Sequence, residues 1–189
     1  MEYFIAIEPG DAAKRHLEQT AHEMKRRFGE SGCQYESRDD YHITLYYMDG
    51  LDCEPQLNGV LQDFSYPAYE LCTGAIGTFD NPNKGVLWAG VSGQLDRLFQ
   101  MRRKLVTALK DAGLPAANEQ FIPHITLAYT EVGHLPSQRK LAQVSQRPYL
   151  FPVDAIHLYK ISYEKQRPRF NKIGSYPLTG GEVRNDEAG

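Results

Sequence analysis

At 189 residues and 41% hydrophobic content, the chain can bury one good core, whereas two independent domains of half that length would each be marginal. A net charge of −3, with acids and bases interspersed, gives no global pull toward long nucleic acid, whose non-specific binding depends on neutralising many phosphates. A ligand carrying one phosphate stays open.

Tyr3 to Ile7 form an apolar, β-prone run that Pro9-Gly10 terminates. The opening MEYFIAIEPG therefore reads as a first strand and not as a signal peptide. Asp11 then offers an N-cap. Ala13, Leu17, Ala21, Met24 and Phe28 recur at helical spacing, opposite Lys14, Arg15, Lys25 and Arg26, which predicts an amphipathic helix closed by a break at Gly29 to Gly32. Tyr41 to Met48 is a β-rich run between Asp39-Asp40 and Asp49-Gly50, a second strand. Pro55, with Leu57, Val60, Leu61 and Phe64, predicts a shorter helix. Strands over Ala68 to Thr78 and Val86 to Val91 follow, joined by a turn at Asp80 to Gly85.

Beyond this point the pattern of the first half returns: strand Val86 to Val91, helix Gln94 to Ala112, strand Phe121 to Tyr129. Leu98, Leu105 and Leu109 each lie 81 positions after Leu17, Met24 and Phe28, and His124 lies 82 after His42, which suggests a duplicated unit. A short helix over Ser137 to Val144 and strands over Val153 to Ser162 and Phe170 to Leu178 complete one domain, residues 1–178. Thr179 to Gly189, rich in glycine and charge, is expected to be a loose tail. No segment nears the roughly 20 apolar residues of a membrane span. Cys33, Cys53 and Cys72 are odd in number, widely spaced and without a CxxC pair, as expected of reduced thiols in a cytoplasmic protein with no structural zinc.

The chemistry resides in a tetrapeptide that occurs twice. His-Ile-Thr-Leu stands at His42 to Leu45 and again at His124 to Leu127. Alternate side chains of a strand share a face, so each copy sends His and Thr one way and Ile and Leu the other. A single His-x-Thr is more often a packed or surface histidine than a catalyst. Two copies, each in a strand that follows a helix, are another matter, because a repeat kept for packing needs Ile and Leu but not both His and Thr. Imidazole titrates near pH 6.5, so two of them astride a phosphorus atom can serve as base and acid. Threonine hydroxyls can donate to non-bridging phosphate oxygens. No acidic cluster flanks the motifs to call for magnesium or manganese, so no metal or cofactor is expected. His16 and His22 read as helix-surface residues, His134 as a loop residue, and His157 as a strand residue lacking a paired threonine.

The paired motifs resemble those of the 2H phosphoesterases. Phe4-Ile5-Ala6-Ile7, Val86 to Gly90, Pro123, Leu158-Tyr159 and Arg167-Pro168-Arg169-Phe170 extend the likeness over nearly the whole chain, and the nearest branch is the LigT-like RNA 2',3'-cyclic phosphodiesterases, also called 2'-5' RNA ligases. The resemblance implies an α+β, bilobal, pseudo-twofold fold with two antiparallel sheets lining a central cleft and helices outside. It also implies a monomeric enzyme that opens 2',3'-cyclic phosphate ends of RNA or nucleotides to 2'-phosphates, with reversible joining of a 5'-hydroxyl end as a 2'-5' linkage. On the matching residues His42 would be the general acid to O3' and His124 the base, with the reverse assignment open; Thr44 and Thr126 would bind the phosphate. Another cyclic or 2'-5' phosphoester as substrate, or a non-catalytic module for terminal phosphates, remains an alternative. The chain departs from LigT-like members in having Tyr129 where they often carry arginine. Arg169 is the first candidate to replace that charge, followed by Lys84 and Arg38, and Tyr129, Tyr46 and Tyr47 are candidates for stacking on a base.

Overall fold

A computed structural model describes residues 1–29, 32–50, 52–115, 120–144, 147–164 and 167–179. In chain order the elements are β1 (Glu2–Ile7), α1 (Asp11–Phe28), β2 (Cys33–Tyr35), a 3-10 turn (Arg38–Asp40), β3 (Ile43–Met48), α2 (Glu54–Asp63), β4 (Tyr69–Asp80), β5 (Gly85–Gly93), α3 (Leu95–Asp111), β6 (His124–Thr130), α4 (Gln138–Leu141), β7 (Leu150–Val153), β8 (Ala155–Glu164) and β9 (Arg167–Pro177). They build two antiparallel sheets, ordered β3-β1-β8-β9 and β2-β6-β5-β4-β7. The expected α+β fold with two antiparallel sheets is the one present.

The duplication is visible in the register. The unit β1-α1-β3 recurs as β5-α3-β6, and Ala6 lies opposite Thr44 as Trp88 lies opposite Thr126. The pairing shifts register once in each copy, between Ile5 and Ala6 and between Leu87 and Trp88, so that Leu45 and Leu127 are the extra residues on the motif strands. A bulge of this kind resets the in-out alternation of a strand. Burial follows: Leu45 and Tyr46 are consecutive buried residues, as are Leu127 and Ala128. Both bulged carbonyls find donors outside their own hairpins, as buried polar groups must. Arg102 Nε of α3 donates to Leu45 O at 2.9 Å, and the Glu36 backbone N–H donates to Leu127 O at 2.9 Å.

The helices supply the rest of the core. Leu98, Met101, Leu105 and Leu109 of α3 are fully buried, each contributing on the order of 1.5–3 kcal/mol relative to an exposed position. On α1 the buried stripe is Ala13, Leu17, Ala21 and Met24, as the spacing predicts, but Lys14 is buried with it and does not join the polar face. The Lys14 ammonium meets Glu8 Oε2 at 3.0 Å and Asp39 O at 3.2 Å. Glu8 also accepts from Lys172 at 2.5 Å and from the Tyr159 hydroxyl. Burial raises the Glu8 carboxyl, but these three donors outweigh it and bring the group down to about 2.

Several boundaries differ from the sequence expectation. Gly10, not Asp11, caps α1. His42 lies just before β3. The strand expected from Phe121 begins at His124, and the one expected from Phe170 begins at Arg167. β2 and β7 are short strands that no periodicity announced. Of the segment expected to be a loose tail, Thr179 bridges to Pro67, and 180–189 lie outside the described residues. Cys33, Cys53 and Cys72 are free. Among the described residues, no helix is long and apolar enough to cross a membrane.

Candidate active site

β3 and β6 touch, and the cleft at their junction is lined by His42, Thr44, His124 and Thr126 together, with a volume of about 330 Å³. That is within the usual range for a small-molecule pocket. The two histidines are held in the same way. His42 Nδ1 lies 2.6 Å from Asp40 O, and His124 Nδ1 lies 2.7 Å from Ile122 O. A carbonyl oxygen can only accept, so Nδ1 carries the proton in both rings and Nε2 is left to exchange a proton in the cleft.

Aromatic packing fixes the rings further. Phe4 stacks on His42 at 4.7 Å between centroids, Tyr159 stacks on Phe4 at 4.6 Å, and Phe170 meets His42 edge-on at 5.3 Å. Phe79 meets His124 edge-on at 5.0 Å, and Trp88 lies at 6.1 Å. The Trp88 indole lies across Gly77 of β4, where a Cβ would collide with the ring. Burial holds both imidazoles below their ordinary value, His42 down to about 4, with the charge of His124 acting in the same direction. Burial therefore favours the neutral form of both rings at pH 7.

The bulges bring a third residue of each motif strand to the same face. Tyr47 and Tyr129 line the cleft. Tyr46 turns inward instead, its hydroxyl donating to Pro115 O at 2.6 Å, so its candidacy as a base-stacking residue is not supported. Tyr129 carries Lys84 over its ring, the ammonium 3.8 Å from the centroid. Of the three cations considered from the sequence, Lys84 lines the cleft. Arg169 is not among the lining residues and pairs with Glu164 at 3.1 Å, although its charge reaches Asp40. Arg38 lies in another groove, 3.8 Å from Glu18 and 3.9 Å from Asp39. His16, His22, His134 and His157 are absent from the cleft lining.

The cleft also holds three carboxylates outside the motif, Glu2, Glu36 and Asp40. Burial first, then the neighbouring Asp40 charge, raises Glu36 to about 7, with Lys84 opposing. Asp40 is raised as well, chiefly by burial. No local pattern marks Glu36; the pairing of β2 with β6 carries it to the cleft. Among the described residues, no group of three or more His, Cys, Asp or Glu side chains is arranged to hold a metal ion.

Two antiparallel sheets that present facing His-x-Thr pairs define the two-lobed fold of the phosphoesterases the motifs resemble. The chain belongs to the 2'-5' RNA ligase superfamily, whose family model matches residues 7–164. It is 27% identical over 187 residues to an RNA 2',3'-cyclic phosphodiesterase of Geobacillus stearothermophilus, covering 94% of this chain and 57% of that protein's length. Its fold is similar to that of E. coli LigT complexed with 3'-AMP, with TM-score 0.76, 21% identity and coverage of 94% and 98% of the two chains. Kluyveromyces marxianus Usb1 shares the fold at TM-score 0.60 and 10% identity, with 94% and 98% coverage.

Proposed function

We propose that the chain is a phosphodiesterase for RNA-type 2',3'-cyclic phosphate ends, which it opens to 2'-phosphates with His42 and His124 as the acid-base pair. The observation that carries this reading is the duplicated Nδ1-to-carbonyl hydrogen bond, which dedicates Nε2 of both rings to one cleft. Water attacks phosphorus as one ring takes its proton; the bond from phosphorus to O3' breaks as the other ring protonates the departing oxygen. His124 acts as the base. His42 acts as the acid, its imidazolium disfavoured by burial and supported by the hydrogen bond from Nδ1 to Asp40 O. Thr44 and Thr126 donate to the non-bridging oxygens, and Lys84 supplies the positive charge. A 5'-hydroxyl taking the place of water would give the 2'-5' linkage of a ligase.

Phosphorus NMR of a 2',3'-cyclic mononucleotide with the protein tests the reading. A 2'-phosphate should appear and persist in EDTA, and His42→Ala or His124→Ala should lower turnover at least about a hundredfold while the melting temperature holds. A 3'-phosphate product, absence of turnover, or loss of activity on chelation would refute it. Binding of a nucleoside 2'-phosphate without turnover would identify a phosphate-binding module instead.

A further inference from the structure

We infer that Glu36, with Asp40 beside it, makes the cleft select by phosphate charge, admitting a singly charged phosphodiester and disfavouring a doubly charged phosphomonoester. The direction of this selection matters to catalysis only on the phosphodiesterase reading above, where the diester is substrate and the monoester is product. The cleft lining includes one cation, Lys84, against three carboxylates, Glu2, Glu36 and Asp40. Glu2 is engaged at the rim by the Tyr163 hydroxyl at 2.5 Å. Burial disfavours the charged form of both histidines. A site built to retain a phosphomonoester uses arginine forks or a helix N-terminus; this cleft lines its wall with acids.

Glu36 is fixed where it matters. Its backbone N–H donates to Leu127 O, which places it beside the bulge that turns Tyr129 toward the cleft. The titratable groups facing it are Asp40 and Tyr41 from its own segment, Lys84 from the β4–β5 turn and Tyr129 from β6. Asp40 in turn faces Asp39, Lys14 and Arg169.

Ring opening changes the ligand's charge. Water oxygen bonds to phosphorus, the O3' bond breaks, one water proton ends on O3', and the other stays on the new monoester. A monoester has its second pKa near about 6 and carries roughly −1.5 to −2 at pH 7, so the second proton leaves to solvent and a second negative charge develops against the Glu36 carboxylate. With Glu36 ionising near 7, the repulsion grows from slightly acid to slightly alkaline pH. The site thereby weakens its hold on what it has made, and product release speeds up where ionised Glu36 and dianionic product coexist.

Calorimetric binding of adenosine 2'-monophosphate and of adenosine 2',3'-cyclic monophosphate tests this, with His124→Ala as the background so that the cyclic ligand survives. Adding Glu36→Gln should tighten the monoester about tenfold at pH 8, from removal of one like charge at close range, and the cyclic diester by less than about threefold; Glu36→Asp should keep the parent ratio. Equal tightening of both ligands, or of neither, would overturn the inference. Should Glu36→Gln fail to fold, His42→Ala added to the His124→Ala background still decides, because it removes the other group that titrates in the cleft. Above about pH 7 the monoester is already dianionic, so in that double variant a monoester-to-diester affinity ratio that keeps falling to pH 8 supports Glu36, and a flat ratio overturns it. Turnover by wild type is measured separately, so absence of cyclic-nucleotide hydrolysis with a shifted ratio would remove the phosphodiesterase reading alone.

Discussion

On the proposed mechanism one of two neutral imidazoles must acquire a proton before it can act as an acid, and bound phosphate supplies the reason. Burial holds His42 at about 4, so at pH 6.5 about 0.3% of it is protonated. A phosphodiester anion about 4 Å from the ring, at an effective dielectric constant of about 20, favours the imidazolium by about 4 kcal/mol, or about three pKa units. That moves His42 to about 7, and binding at pH 6.5 then takes up about three quarters of a proton. Glu36, already about three quarters protonated at this pH from its value of about 7, adds at most about a quarter. Calorimetric titration of a non-hydrolysable cyclic nucleotide analogue in two buffers of different ionisation enthalpy reads the uptake directly. His42→Ala should remove the His42 share and leave what His124 and Glu36 take up. Binding enthalpies that agree between buffers for wild type would refute the electrostatic account of how the acid is made.

Lys84→Ala should raise KM for a cyclic nucleotide about tenfold and flatten its salt dependence, with a smaller effect on kcat, because the ammonium provides the cleft's positive charge; a steady-state titration at two salt concentrations checks this. Gly77→Ala should destabilise the fold by about 1–3 kcal/mol through overpacking against Trp88, and should lower kcat because Trp88 neighbours His124. Gly59→Ala, inside α2 with open space around it, should not destabilise the fold, since alanine is the better helix former, and serves as the control by thermal melting and rate. The two perturbed groups also set opposing pH dependences. His42 is depressed from 6.5 to about 4, so the unfolded chain binds more protons in that window and stability falls as pH falls through it. Glu36 is raised from 4.5 to about 7, so the folded chain binds more protons there and stability falls as pH rises. Denaturant titrations between these limits should show Glu36→Gln losing stability on acidification more steeply than wild type.

The parts of this molecule written in local periodicity were readable from the chain. The stripe Leu98, Leu105, Leu109 needed only helical spacing, and the two His-x-Thr pairs needed only strand alternation and repetition. What escaped were properties of pairs of elements. The bulges at Leu45 and Leu127 exist only in the register with β1 and β5, and they decide that Tyr47 and Tyr129 face the cleft while Tyr46 does not. Lys14 looked like a polar-face residue because nothing along α1 indicates that Glu8 and Asp39 close over it. Glu36 adjoins a three-residue strand too short to show a period. Arg169 is the first candidate cation from the sequence, yet it is Lys84, in the turn between β4 and β5, that lines the cleft.

The pairing of β1 with β8, Phe4 beside Tyr159, has a consequence for how the molecule is made. The stack behind His42 is assembled from the beginning and the late part of the chain, so no contiguous fragment ending before β8 can fix that ring. Contacts this distant close slowly. During synthesis the second motif unit, β5-α3-β6, can mature while the first ring still lacks its backing, which arrives only with the final hairpin, β8 to β9.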